Sequence, residues 1–385
     1  MVTSTLATAS AAEQPATISL AVELSRASWV VAVHSPLADK ISLHTLAGGD
    51  SEGLLALIAR LRARAEQALE RPIAVVACYE AGYDGFWLHR LLGAHGVLNH
   101  VLDPASLQVS RRARRVKTDR IDAERLLRAL LAHPRGEPKV VSMVRVPSVA
   151  EEDARRLHRE RHRLVRERVQ HVNRLKGLCA TQGIYDFEPL RRGRQERLSG
   201  LRTGDGRPLP PRLAAELARE LQRLELVLAL LAGLEAERDA LVAAPAPAHP
   251  HAPKIKALAR LKGIGPEFAT VLVGEVFHRR FANRREVASY VGLAPSPFRS
   301  GGMAREQGIG KAGNAKARTT MLELAWLWLR HQPGSALSGW FQERVGALRG
   351  QVRRIAAAAL ARKLLVALWR YLESGLVPQG ALLKP

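Results

Sequence analysis

At 385 residues with a formal net charge of +23, the chain is too long for one ordinary domain and too basic for a neutral or acidic partner, so two or three units and a polyanion are expected. Cys78 and Cys179 are the only cysteines and lie far apart. Neither a disulfide framework nor a zinc-ligand spacing is available, and a reducing, cytoplasmic setting is the expectation.

Residues 1–17 carry no basic segment ahead of an apolar core and read as a loose leader. Ile18 to Leu24 and Trp29 to His34 are apolar and β-branched, and Ile41 to Thr45 follows after a polar turn, which predicts a three-stranded meander. Leu54 to Leu69 has helical spacing, Ile73 to Cys78 is a short strand running into Tyr79-Glu80-Ala81-Gly82, Phe86 to Leu92 starts a helix, and Val97 to Leu102 is a fifth strand. Three antiparallel strands followed by alternating helix and strand give a mixed α/β sheet over 18–147, with ligands at the carboxyl ends of its parallel strands. Glu23 and Glu80 sit near such ends. Glu23 interrupts an apolar strand, where an acid costs free energy unless it is exposed or bound.

Arg111, Arg112, Arg114, Arg115 and Lys117 form a run of cations that ends where a helix begins, and Asp119 and Asp122 follow at i, i+3 on one helix face. Two readings are open. The acids are an ordinary first turn, with Asp119 as N-cap and Asp122 at N3, or they hold a divalent metal beside a phosphate drawn in by the cations. Taken with Glu23 and Glu80, they would converge as the acids of an RNase H-like domain do to hold Mg2+, two ions roughly 3.5 to 4 Å apart clamping a phosphodiester.

Beyond Pro147 the texture is helical. Val149 to Leu178 is proline-free and charged, and Arg212 to Val242 carries leucines at alternating spacings of four and three, so residues 148–244 are expected to form a helical hairpin, or coiled-coil arm, with Gln182 to Pro211 as an irregular tip. Nine Lys or Arg residues lie between Arg155 and Lys176 against Glu160 and Glu167. Arg159, Arg163 and Arg166 are therefore candidates for a nucleic-acid backbone. Residues 245–253 read as a linker before a third, mostly helical domain over 254–385. There Gly263-Ile264-Gly265 lies between two short helices in a helix-hairpin-helix pattern, whose backbone N–H groups can meet phosphate. Arg299-Ser300-Gly301-Gly302 and Gly308-Ile309-Gly310-Lys311-Ala312-Gly313 form a glycine-rich basic loop with one serine. A dinucleotide-binding reading of the second motif fails for want of a preceding strand and a βαβ unit. In the tail, Ser338 to Leu372 reads as two helices, with Trp340, Phe341 and Trp369 as core.

AVELSRASWVVAV, ACYEAG, KTDRIDAERL, LKGIGPEFATVL, GLAPSPFRSGG and GIGKAGNAKAR occur in that order over nearly the whole chain after the leader. The set resembles the insertion-sequence transposases of the 110 and 1111 type, DEDD recombinases with a RuvC-like N-terminal domain and a helical C-terminal transposase domain. The resemblance implies metal ligands at Glu23, Glu80, Asp119 and Asp122, with Mg2+ as cofactor, and a nucleophilic Ser300 that joins covalently to DNA; Arg299, Arg305 and Lys311 in the same loop are expected to stabilise charge on the phosphate. It further implies donor and target DNA as partners, a structured guide RNA encoded by the element, and a homo-oligomer. Glu23 stands where the family usually has aspartate, one methylene shorter, and Gly310 where many relatives carry serine. The expected function is a transposase exchanging DNA strands through a serine intermediate. The alternatives are a RuvC-like structure-selective endonuclease using water as nucleophile, or a non-catalytic nucleic-acid scaffold.

Overall fold

The structure is a computed structural model that describes residues 16–107, 118–133, 137, 140–243, 251–300, 303–311 and 313–384; the side chains of 105, 297–300 and 303–307 are outside that description. The chain divides into two compact units, Met1–Val146 and Pro147–Pro385.

The first unit is built on a five-stranded sheet of order β3-β2-β1-β4-β5, with β1 Thr17–Leu24, β2 Ser28–Ser35, β3 Ala38–Ala47, β4 Ala74–Glu80 and β5 Leu98–Leu102. The first three strands are antiparallel neighbours, whereas β4 and β5 run parallel to β1. This mixed order is consistent with an RNase H-like domain. Helices α1 (Ser51–Leu69) and α2 (Trp87–Ala94) supply the crossovers, and α1 is fixed at its start by Asp50, whose carboxylate accepts from the Gly53 amide at 2.8 Å.

Strand alternation sends successive side chains to opposite faces. Ile18, Leu20 and Val22 join one core with residues of α1 and α2, while Ala21, Ala32 and Cys78 join another with Ala123, Leu126 and Leu127 of α3 (Asp119–Ala132). Both faces of the central strand are therefore buried, which is why β1 reads as a nearly continuous apolar run.

In the second unit the stretch expected to be one helix from Val149 is two, α4 (Val149–Asp153) and α5 (Arg156–Ala180), separated by a two-residue turn. A capping box explains the early start: the Ser148 hydroxyl accepts from the Glu151 amide, and the Glu151 carboxylate accepts from the Ser148 amide. Helix α5 lies antiparallel to α7 (Pro211–Ala243). Arg161 meets Glu235, His171 meets Glu220 and Arg174 meets Glu216, so numbers rise on one helix as they fall on the other. Between them the tip contains a short helix, α6 (Arg194–Ser199), and its own small core around Phe187, Leu198, Leu217 and Leu221.

Residue 244 and residues 245–250 of the expected linker lie outside the described residues. From Ala252 the chain forms α8 (Ala252–Ala259), α9 (Pro266–Leu272) with a turn of π-helix over Val273–Phe277, and α10 (Arg284–Val291). There follow β6 (Pro295–Ser300), β7 (Met303–Ile309), α11 (Ala315–His331), α12 (Ala336–Val345) and α13 (Gln351–Ser374). Trp328, Phe341, Leu360, Leu364 and Leu368 sit at the centre of its core, while Trp340 and Trp369 pack against it half-buried.

One expectation is corrected here. A strand, β7, does precede the Gly308 to Gly313 motif, because pairing with β6 imposes extended backbone on a segment without apolar alternation. The two strands form an isolated antiparallel pair, so the dinucleotide-binding reading still fails on the missing parallel βαβ unit.

The base of α5 docks onto this core through a buried carboxylate on the π-helical turn. Glu275 is 2% exposed and accepts from His158 Nε2 at 2.8 Å, from Arg159 at 2.9 and 3.1 Å, and from Asn314 Nδ2 at 2.9 Å. Burial pushes this carboxyl up, but the bonds from His158, Arg159 and Asn314 more than reverse it and hold Glu275 well below the usual carboxylate range. Burial holds His158 below its ordinary value. The ring is neutral, with Nε2–H donating to Glu275, and its other nitrogen, buried without a partner, is a bare acceptor rather than an orphaned donor.

Candidate active site

The parallel register of β1 and β4 runs from Thr17 opposite Ala74 to Val22 opposite Tyr79. One step further sets Glu23 beside Glu80 at the carboxyl ends of adjacent parallel strands. By alternation Glu23 lies on the face of Ala21, and Glu80 on the face of Cys78, the face covered by α3.

Helix α3 brings its own acids to that face. Its N-cap is Thr118, whose hydroxyl accepts from the Ile121 amide at 3.3 Å, so the expectation that Asp119 caps the helix is corrected. A threonine one residue earlier already occupies the capping position, which leaves Asp119 at N1 and Asp122 at N4. Asp119 is exposed, whereas Asp122 is 9% exposed and begins the stripe of Ala123, Leu126 and Leu130 against the sheet.

Arg125 ties the strand end to the helix. Its Nη2 lies 3.8 Å from Glu80 Oε2 and 3.5 Å from Asp122 Oδ1, so one guanidinium bridges two of the four predicted acids. Asp122 Oδ2 is buried with no hydrogen-bond partner. Glu23 is half-buried at the end of the neighbouring strand, and Asp119 stands one helical turn before Asp122. Among the described residues, no three His, Cys, Asp or Glu side chains gather closely enough to hold a metal ion, and Arg125 offsets one of the two negative charges of Glu80 and Asp122. Carboxylate oxygens are the hard donors that Mg2+ takes, and the unpartnered buried oxygen of Asp122 suits that role. Cys78, on the same face, is no nucleophile: burial pushes its thiol up.

Ser300 lies in the other unit, as the last residue of β6, opposite Met303 of β7. Gly301 and Gly302 fall outside the described residues, as do the side chains of Arg299 and Ser300. Lys311 is exposed, with left-handed backbone (φ 57°), and its carbonyl accepts from Arg318 at 2.8 Å.

The predicted phosphate-binding residues are dispersed. Arg111, Arg112, Arg114, Arg115 and Lys117 lie outside the described residues. The Arg159 guanidinium is engaged with Glu275, Arg163 pairs with Glu167 at 3.5 Å, and Arg166 is exposed. Gly263 has φ +90°, and a Cβ there would collide with His331 at 2.8 Å, so only glycine fits; Gly265 is the N-cap of α9. Arg125 and Glu275 were not anticipated. The position of Arg125 three residues after Asp122 was a visible signal; its reach to Glu80 across the sheet was not.

Comparison with known proteins decides the family. Residues 255–338 match the transposase family IS116/IS110/IS902, and residues 11–181 match the DEDD transposase domain of IS110. Protein y4rJ of Sinorhizobium fredii is 51% identical over 95% of this chain and 94% of its own length. The chain belongs to the IS110 family of insertion-sequence transposases. The transposase of insertion sequence element IS1111A from Coxiella burnetii is also similar, 24% identical over 67% of this chain and 66% of its own. Membership implies DNA binding, DNA cleavage and strand transfer, and the DEDD domain implies a divalent metal. No described helix is long and apolar enough to cross a membrane.

Proposed function

We propose that this IS110-family transposase uses Glu23, Glu80, Asp119 and Asp122 to hold Mg2+ and Ser300 as nucleophile, with the DNA sites chosen by a structured RNA and the reaction carried out by a homo-oligomer. The observation that supports this reading is the placement at one sheet end: Glu23 and Glu80 each follow the last register pair, Val22 opposite Tyr79, and Arg125 lies against both Glu80 and Asp122. Bound there, the metal would stabilise charge developing on the phosphate. The Ser300 hydroxyl forms a bond to phosphorus, one backbone P–O bond breaks, and the serine proton ends on the leaving oxygen, giving a DNA-linked serine and a free hydroxyl end. Arg299 adjoins that serine and is assigned to balance the phosphate charge; Lys311, expected to share that role, follows the end of β7 that pairs with Pro295 and so lies at the other end of the hairpin. Gly263 and Gly265 of the helix-hairpin-helix, the cations from Arg111 to Lys117, and Arg163 and Arg166 on the coiled-coil arm are assigned to the nucleic-acid backbone.

The test is strand exchange reconstituted from purified protein, Mg2+, donor and target DNA, and RNA extracted with the protein. Glu23→Asp is expected to keep activity, since it restores the shorter ligand, and Glu23→Gln to lose it, since an amide keeps size without charge. Equal activity in Glu23→Gln would make Glu23 structural, and exchange that survives chelation of the metal would remove the metal reading.

A further inference from the structure

The C-terminal part of the second unit contains a cleft of about 760 Å3 between α10 and α13, floored by small apolar side chains and reaching the first residue of β6, Pro295. Its rim carries Arg284 and Arg285 from α10 and Arg362, Lys363 and Arg370 from α13, with no aspartate or glutamate in the lining. None of these five cations forms an ion pair among the described residues, in contrast to Arg159, Arg161 and Arg174 on the arm. The acid of α10, Glu286, is turned away to the helix start, accepting from the Ala282 amide and from Asn283, both at 2.9 Å. Lys363 stands over the Trp340 ring at 4.7 Å, which steadies its ammonium at the rim.

Five like charges around one concavity repel one another, and that cost is relieved by a polyanion that releases its counterions on binding. The cations of α13 extend from Arg362 to Arg370, about 12 Å along the helix, too long for one phosphate and suited to a polymer. We infer that this cleft binds the phosphate backbone of duplex DNA and leads it toward Ser300. The choice of DNA rests on the proposed role of Ser300. Pro295 begins the strand that Ser300 ends, about 17 Å at about 3.3 Å per residue, or about five nucleotide steps at 3.4 Å per step along one strand.

The experiment measures binding of a labelled random-sequence DNA duplex, and of transfer RNA, across a series of salt concentrations, with every protein carrying Ser300→Ala so that chemistry plays no part. Replacing Arg285, Lys363 and Arg370 by glutamine is expected to lower the log–log salt slope for duplex DNA by about 2 to 3, near 0.9 per lost phosphate contact, with the slope for RNA unchanged. The charge-keeping set Arg285→Lys, Lys363→Arg and Arg370→Lys is expected to retain the parent slope. An unchanged DNA slope overturns the inference, and so does a fall for RNA alone or for both polymers. Failure of the nucleophile reading shows separately, in a protein with Ser300 intact: if that protein never forms a DNA adduct with donor DNA and Mg2+, while the cation replacements still lower DNA affinity, the role of Ser300 falls and the cleft stands.

Discussion

Asp122→Asn is expected to lower strand exchange by about a thousandfold while leaving the fold and nucleic-acid binding intact. Asparagine keeps the size of the side chain that starts the buried stripe of α3, and the Thr118 cap is untouched. What is lost is a negative oxygen that has no hydrogen-bond partner within the protein. Removing one carboxylate from a site that supports phosphoryl transfer forfeits several kcal/mol of transition-state stabilisation, and about 4 kcal/mol is about a thousandfold in rate. Arg125 would keep Glu80 and the side-chain volume is unchanged, so melting should move by no more than a few degrees, as for a change of about 1 kcal/mol. Exchange rates of the two proteins, with a melting curve for each, check the point; full activity in Asp122→Asn would remove this residue from the site.

Glu275→Ala is expected to act on stability instead, at about 3 to 5 kcal/mol, the usual cost of taking one partner from a buried charged network. The carboxylate accepts from His158, from Nε and Nη2 of Arg159 and from Asn314. Asn314 has no freedom to turn away, because its other amide atom caps α11 through the Ala317 amide. Glutamine is no remedy, since its amide nitrogen would face a donor on whichever side it was placed. Acid should weaken the same junction in two stages. The His158 ring is held below its ordinary 6.5, so as pH falls below that value the unfolded chain takes a proton that the folded chain refuses, and stability declines. Glu275 is held below its ordinary 4.5, so its contribution is complete above that value and is lost as pH falls beneath it. Urea unfolding at neutral pH, near pH 5 and below pH 4.5, for wild type and Glu275→Ala, measures the substitution and both acid stages. A variant as stable as wild type would mean that the junction contributes nothing.

The sheet was legible because its strands are short apolar runs punctuated by turns, and because an acid at the end of a run, as at Glu23 and Glu80, stands out against it. Register was not legible, since it is set by pairing across 57 residues of chain. Only the structure shows Val22 opposite Tyr79 and hence Glu23 beside Glu80. The arm illustrates the opposite failure. Its helix looks bare when its cations are counted against its own acids, but Glu216 and Glu235 on α7 and Glu267 and Glu275 beyond it take up Arg174, Arg161 and Arg159. Charge balance across a helix pair is a tertiary property. Strand β7 was missed for a related reason, because Met303 to Ile309 has no apolar alternation and is extended through its partner.

The most direct test is a denaturing gel of wild-type protein with labelled donor DNA, its co-purified RNA and Mg2+. A slow-migrating protein–DNA species is expected in wild type and absent from both Ser300→Ala and Asp122→Asn, while Ser296→Ala retains it. Cleavage without any such species would contradict the serine mechanism in favour of water as nucleophile, and a species that persists in Ser300→Ala but vanishes in Ser296→Ala would place the nucleophile four residues earlier on β6.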